Sequence, residues 1–353
     1  MKKIIPLFFS CLFVLLAVEA SYRLDIHVKK PLYRPSSLPD LGWEFTPGGS
    51  NAEWGKPPGP RALRVNERGF RDRTTGPWDA WTDKDLRIAI LGDSVTAATN
   101  VGYEQTYGQQ LENLLQQSGF RARVVNFGMD ATNTRQHWAL AKWKVLPLQP
   151  QILLLGYALN DTEIRFFEKL PDPLKRLLRH FHFGVFISQR AMQSIRNRRE
   201  PERYRADFEK KPVRSTACSG PMLEMIKSYE TPAWPETAVW IRRIKELAGS
   251  QGVFFGVILL PTEDQVRGIC PSGPQQRIRF FLEQEKIPYL DLLPVLQPAA
   301  NPSYLTGDPL HFNPAGHAVI AKALQKWLEK MSVLPRAVGI QTEGAVEKPL
   351  ASG

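Results

Sequence analysis

The sequence predicts an α/β fold in which one parallel sheet carries helices on both faces. Three observations predict it. Five short apolar segments, at 86–91, 122–127, 151–156, 252–260 and 288–292, have the length and composition of buried strands. Segments with apolar residues at helical spacing lie between or after them, at 104–117, 134–145 and 313–331. Gly92, Gly128 and Pro261 punctuate strand ends, and strands alternating with helices in this way fold by right-handed crossovers into a parallel sheet.

The chain opens with Lys2 and Lys3 ahead of a nearly continuous apolar run at 4–18, broken only by Pro6 and Ser10. A run of about fifteen residues suits a signal-peptide core and falls short of the roughly 20 that a spanning helix needs. Val18-Glu19-Ala20 offers small residues at cleavage positions. Residues 1–20 are therefore expected to be a signal peptide or, uncleaved, a membrane anchor, with the lysines inside and the rest delivered outside the cytoplasm. Cys11 lacks the small residues before it that lipid attachment requires.

Residues 21–84 are rich in Pro, Gly and Trp and lack periodicity, so they read as an irregular wrap. Near its end, 64–71 (RVNERGFR) reads as a tight turn between apolar anchors. The main domain is expected at 85–333. Its first strand runs into Gly92-Asp93-Ser94, which places Ser94 between a strand and a helix, at the edge where open α/β sheets bind ligands. The following helix carries Tyr107, Leu111, Leu114 and Leu115 at helical spacing, and the next carries Trp138, Leu140 and Trp143. The last helix opens on Asn313 as cap and Pro314 at its first position, a strong start signal, and buries Leu324, Trp327 and Leu328. Residues 161–235 read as a helical, basic cap inserted at the carboxyl edge of the sheet, and 334–353 as a disordered polar tail.

With 353 residues, 43% hydrophobic and 23% charged, the composition is that of a folded globular protein. The net charge of +11 is concentrated, since 165–214 holds 14 Lys/Arg against 6 Asp/Glu. That surplus is either a solvated helical face or a contact for a membrane surface or an acidic polymer. No nucleic-acid-binding module is present in the pattern, so no nucleic-acid partner is expected. Beyond Cys11 only Cys218 and Cys270 remain, in Pro/Gly-rich loops. In an oxidising compartment they form one disulfide, and otherwise they are two buried thiols. No metal-ligand cluster accompanies them.

A parallel sheet gathers the loops after its strands along one edge. Here those loops bring Ser94, Asn126-Phe127-Gly128, Asn160-Asp161 and, after the fifth strand, Asp308-Pro309-Leu310-His311. Acyl transfer needs this inventory. A serine hydroxyl is a weak nucleophile until a base takes its proton. His311 can do so near neutral pH, and Asp308, three residues away, can orient the imidazole and stabilise its cation. Ser94 N–H, Gly128 N–H and the Asn160 side-chain amide are the candidate donors to the oxyanion. The remaining histidines, at 27, 137, 180, 182 and 317, lack such company and read as structural.

Taken together these blocks resemble the SGNH hydrolases, the superfamily of GDSL-type esterases and lipases. The matches are Gly92-Asp93-Ser94 with Val95 where leucine is commonest, Asn126 and Gly128, Asn160-Asp161, and Asp308-x-x-His311. The resemblance implies a three-layer α/β/α sandwich on a five-stranded parallel sheet, a flavodoxin-like arrangement. It also implies Ser94 as nucleophile, His311 as base, Asp308 as its orienter, and Ser94, Gly128 and Asn160 as the oxyanion hole. It departs from the family pattern at Ala158, where glycine is usual two residues before the asparagine, and in the cap insert. No Gly-x-Ser-x-Gly elbow surrounds Ser94, which sets the chain apart from the larger α/β-hydrolase family.

The expected protein is thus an exported serine esterase that acts on an acyl ester of a lipid or carbohydrate and needs no metal or organic cofactor. Two other readings use the same residues or the same fold. One is an O-acyltransferase of an envelope glycan, and the other is a catalytically silent envelope binding protein that uses the basic insert.

Overall fold

The computed structural model describes residues 4–29, 32–50, 65–71, 82, 84–162, 173, 217–297 and 303–335. Helix α1 (Ile4–Lys29) is followed by an antiparallel pair, β1 (Tyr33–Pro35) and β2 (Trp43–Phe45). The main domain then runs β3 (Leu86–Gly92), α2 (Ser94–Ala97), α3 (Tyr107–Gln117), β4 (Ala122–Gly128), α4 (Thr134–Leu140), β5 (Ile152–Ala158), α5 (Gly220–Ser228), α6 (Ala233–Gly249), β6 (Phe254–Leu260), α7 (Glu263–Val266), α8 (Gly273–Gln284), β7 (Tyr289–Asp291), α9 (Leu293–Leu296) and α10 (Pro314–Lys330).

The five main-domain strands form one wholly parallel sheet in the order β4-β3-β5-β6-β7. Strand order reverses between β3 and β5, so the loop after β3 opens at the crevice where doubly wound sheets place their ligands. Successive strand residues point to opposite faces, and this sorts the core. Ala89, Leu91, Val125, Leu153, Leu155 and Val257 pack on one side with Ala139, Ile241, Ile244, Ile278 and Leu282. Ile88, Ile90, Val124, Leu154 and Ile258 pack on the other with Leu111, Leu115, Ile320, Leu324 and Leu328. This is the predicted sandwich.

Local chemistry sets the element ends. The helix expected at 104–117 begins only at Tyr107, because the Thr106 side chain accepts from Gln109 N–H and caps it there, behind a 3₁₀ turn at Tyr103–Gln105. The helix expected at 134–145 is α-helical to Leu140, then widens into a π turn and tightens into a 3₁₀ turn at Leu146–Leu148. Strand β5 continues to Ala158, two residues past the expected end. Helix α10 starts at Pro314 with Asn313 accepting from Gly316 N–H, as the sequence predicts.

The amino-terminal helix does not stop at Ala20 but continues to Lys29, with Arg23 paired to Glu19 at 2.7 Å. Leu12, Phe13, Val14, Leu15 and Leu16 are exposed on it. Among the described residues no helix is long and apolar enough to cross a membrane. The wrap is fastened by the Arg34–Glu44, Lys144–Glu44 and Arg135–Asp40 ion pairs and by Gln136 Nε2 donating to Leu41 O. Most of the basic stretch 165–214 and of the tail 334–353, together with His180 and His182, lies outside the described residues. Cys218 and Cys270 are joined by a disulfide, which ties the segment entering α5 to the loop between α7 and α8.

Candidate active site

Ser94 opens a helix of only four residues, capped by Asp93, whose Oδ1 accepts from Val95 N–H at 2.9 Å. This helix lies unusually close to the sheet, for a reason written across three strands. Gly92 pairs with Gly128 on one side and Gly156 on the other, so three neighbouring strands lack a Cβ at one level. A Cβ at Gly128 would come within 2.3 Å of Ala97 N, and one at Gly156 within 2.4 Å of Thr96 Oγ1.

The acid–base chain is continuous. His311 Nε2 lies 2.9 Å from Ser94 Oγ, and Nδ1 lies 2.7 Å from Asp308 Oδ2. Asp308 is held by its own loop, with Oδ1 accepting from Leu310 N–H and His311 N–H at 3.0 and 3.1 Å. Burial opposes charge on both side chains, yet their mutual hydrogen bond and attraction prevail. The Asp308 carboxyl is held below the usual carboxylate range, and the His311 imidazole is raised above its ordinary value with added help from Asp93 and Asp130.

Asn160 follows β5 at once, in the turn Leu159–Thr162, so alanine at 158 does not displace it. Its Nδ2 donates to Asp93 Oδ2 at 2.9 Å, and the second hydrogen of the same amide remains available. Gly128 corrects the sequence expectation. Its N–H donates to Asn126 Oδ1 at 2.8 Å, while Asn126 Nδ2 donates to Thr96 O at 2.7 Å. Asn126 therefore ties β4 to the helix that Ser94 opens, and Gly128 provides clearance there rather than an open N–H. Beyond it the loop folds over the first strand, with Met129 N–H and Thr132 Oγ1 both reaching Gly92 O. Ala131, at its tip, is left-handed with φ 56°. Neither its N–H nor that of Ser94 is hydrogen-bonded among the described residues.

These side chains come from a stretch that matches a known family over most of its length. The profile of the GDSL-like Lipase/Acylhydrolase family matches residues 90–319, from within β3 into α10.

The chain belongs to the GDSL-like Lipase/Acylhydrolase family.

It is accordingly an enzyme of ester-bond hydrolysis. Solved structures are similar to the chain at low identity. TesA is 15% identical with a TM-score of 0.41, covering 69% of this chain and 98% of its own. The lipase/acylhydrolase from Enterococcus faecalis is 12% identical with a TM-score of 0.42, covering 70% and 97%. The psychrotrophic esterase EstA from Pseudoalteromonas sp. is 13% identical with a TM-score of 0.39, covering 70% and 98%. No curated protein matches the chain significantly.

Around the acylhydrolase site lie groups that the sequence does not single out. Asp130 Oδ2 accepts from Tyr33 OH at 2.5 Å and from Thr99 Oγ1 at 3.4 Å, and burial raises its carboxyl above the usual range. Tyr33 belongs to the wrap, so the wrap reaches the neighbourhood of His311. His317 accepts from Tyr107 N–H at 3.3 Å and stacks on the Tyr107 ring. Burial lowers it to about 3, which keeps it neutral. His137 is buried beside Thr132 and Asp161.

Proposed function

We propose that this acylhydrolase is an exported serine esterase, cleaving an acyl ester of a lipid or carbohydrate through Ser94, His311 and Asp308. The observation that carries the reading is the unbroken path from Ser94 Oγ through both ring nitrogens of His311 to Asp308 Oδ2, at 2.9 and 2.7 Å. His311 Nε2 takes the hydroxyl proton as Ser94 Oγ attacks the ester carbon. The imidazolium so formed is stabilised by Asp308, then returns the proton to the departing alkoxide. Water then attacks the acyl carbon as His311 takes its proton, the bond to Ser94 Oγ breaks, and His311 returns that proton to Oγ as the acid leaves. During both steps the former carbonyl oxygen carries negative charge. Ser94 N–H and the second hydrogen of the Asn160 amide are the donors best placed for it, with Ala131 N–H as a third; each such donor lowers the barrier by about 3 kcal/mol.

Export is supported by the Lys2-Lys3 start, the apolar run in α1 and the Cys218–Cys270 bond, because disulfides persist in oxidising compartments. The exposed leucines of α1 suit a leader or an anchor held at a membrane surface.

The test is labelling of the exported protein with a fluorophosphonate, followed by mass mapping. Ser94 is expected to carry the adduct, and Ser94→Ala to lose both the label and turnover of a short-chain aryl ester while keeping its thermal midpoint. A wild type that stays unlabelled, or a fully active Ser94→Ala protein, overturns the serine mechanism.

A further inference from the structure

Three of the carbonyls that follow Ser94 take their hydrogen bonds from one side chain outside the domain. Arg71, at the end of the wrap, is buried. Its Nη1 donates to Ala97 O and Ala98 O, both at 2.5 Å, and its Nη2 to Val101 O at 2.6 Å. Its backbone forms an antiparallel bridge with Asn126, the residue whose side chain serves Thr96 O. Thr96 O and Ala97 O therefore find side-chain partners on Asn126 and Arg71, and Ala98 O is shared between Arg71 and Val101 N–H. Along the helix, Ala97 N–H donates to Asp93 O and Ala98 N–H to Ser94 O.

Two features show that this contact does more than cover surface. Ala98 sits in the left-handed region at φ 52°, a conformation alanine keeps only where its surroundings enforce it. Arg71 also has no carboxylate at ion-pair distance among the described residues. Asp130 attracts it from beyond that distance and the Tyr103 ring lies 6.0 Å away, so a buried cation whose hydrogen bonds go to peptide carbonyls is an expensive way to fill space that an apolar residue would fill. Burial lowers Arg71 to about 10, which leaves it charged at neutral pH.

The turn before Arg71 is built to deliver it. Asn66 Oδ1 accepts from both Arg68 N–H and Phe70 N–H, Gly69 takes φ 76°, and the Phe70 ring meets Phe127 edge-on at 4.5 Å. A Cβ on Gly69 would lie 2.8 Å from Phe45 O.

We propose that Arg71 is a positioning residue for acyl transfer: its guanidinium fixes the helix that carries Ser94, keeping Oγ in line with His311 Nε2. The wrap is thereby a working part of the site. This rests on the serine mechanism proposed above. A lysine would meet the carbonyls as a point charge and could not reproduce the fork.

The experiment compares full-length wild type, Arg71→Lys and Arg71→Met. Labelling by a fluorophosphonate is followed by intact mass, giving the fraction of competent sites at saturation and the labelling rate constant per competent site. kcat and KM are measured with an aryl acetate. Both the per-site labelling rate and kcat are expected to fall, about 100-fold in Arg71→Met and about 10-fold in Arg71→Lys, because small misplacements of reacting atoms cost rates of this size. KM is expected to stay within about twofold, and the acid-limb midpoint of the pH profile to stay put in Arg71→Lys, which keeps the cation near the carboxylates that hold His311. Variants that label at the wild-type rate per competent site, whatever their yield of folded protein, make Arg71 a structural strap and overturn the proposal. If Arg71→Met does not fold, Arg71→Lys decides by the same criterion. An unlabelled wild type overturns the serine mechanism and this proposal with it, whereas a labelled wild type with unslowed variants overturns only this one.

Discussion

Replacing Gly128 by alanine separates a glycine that supplies space from one that supplies a donor. The added Cβ would lie 2.3 Å from Ala97 N, 2.7 Å from Thr96 C and 2.9 Å from Ala97 Cα. All three atoms are backbone of the nucleophile's helix, so no flexible side chain can yield. Ordinary contact begins near 3.5 Å, so the helix must retreat from the sheet by about 1 Å. That retreat stretches the Asn126–Thr96 bond and the 2.9 Å approach of Ser94 to His311. Overpacking of this kind costs about 1–3 kcal/mol of stability, and a displacement of this size slows reaction by about 100-fold. Alanine keeps its N–H, so a donor role for that group would survive the change. The assay is kcat for an aryl acetate on purified full-length protein, alongside thermal unfolding. A fall of about 100-fold with a modestly lower midpoint is expected. Turnover within about threefold of wild type at an unchanged midpoint would refute the close approach on which this reasoning stands.

Three further predictions concern the Asp308–His311 pair and the disulfide. His311 must be neutral to accept the Ser94 proton, so kcat/KM should rise with pH through a midpoint above the ordinary histidine value of 6.5, because Asp308, Asp93 and Asp130 hold the imidazole protonated longer. Asp308→Asn removes the strongest of these influences. It should move the midpoint down and slow turnover by about 1,000-fold or more; an unmoved midpoint would mean that Asp308 does not govern the imidazole. The same shifts give the pair a stability signature of definite sign. The raised histidine stabilises the fold below 6.5 and loses that effect as pH rises through its folded value, while the lowered Asp308 stabilises above 3.8 and loses it as pH falls through its own. The contribution is therefore greatest between those two values, where His311 is protonated and activity is low, and thermal midpoints of wild type and His311→Ala against pH would show it. The Cys218–Cys270 bond spans 52 residues. On chain entropy alone it stabilises by about 4 kcal/mol, so the double alanine variant should melt roughly 10 °C lower in a thermal scan. A change under about 2 °C would show that the unfolded chain is not the state it restrains.

The sheet was legible because its strands are buried on both faces, which leaves runs such as Ile152 to Leu155 with no polar alternation to confuse them. The meeting of Ser94, His311 and Asp308 was legible because strand-end loops in a parallel sheet must share one edge. What escaped is what depends on distance rather than order. Gly128 looks the same in a sequence whether it offers an N–H or an empty space, and only its separation from Ala97 decides. Arg71 lies in a stretch without periodicity, where nothing identifies which carbonyls a guanidinium will find. Its signal was the turn before it, since Asn66 and Gly69 at that spacing mark a constrained loop and a constrained loop has something to aim. The cysteine pair stayed open for the same reason, because two residues in permissive loops give no measure of the gap between them.

Asp93 shows why these parts act as one. Its Oδ1 caps the helix of Ser94 and its Oδ2 receives the Asn160 amide, so one buried carboxylate holds both that helix and the amide proposed as a donor to the oxyanion. Its charge also helps hold His311 protonated. Moving Asp93 would therefore disturb the hydroxyl, the donor and the base together. Such coupling works only if the helix cannot rotate about its cap. The glycine row lets the helix down onto the sheet at its start, Asn126 holds it at Thr96, and Arg71 holds it at Ala97 and Ala98. With four residues it is too short to be stable by its own hydrogen bonds, so its orientation comes from these outside partners. A short helix held from outside can point a serine more sharply than a long one held by itself, because each restraint acts within a few bonds of the hydroxyl.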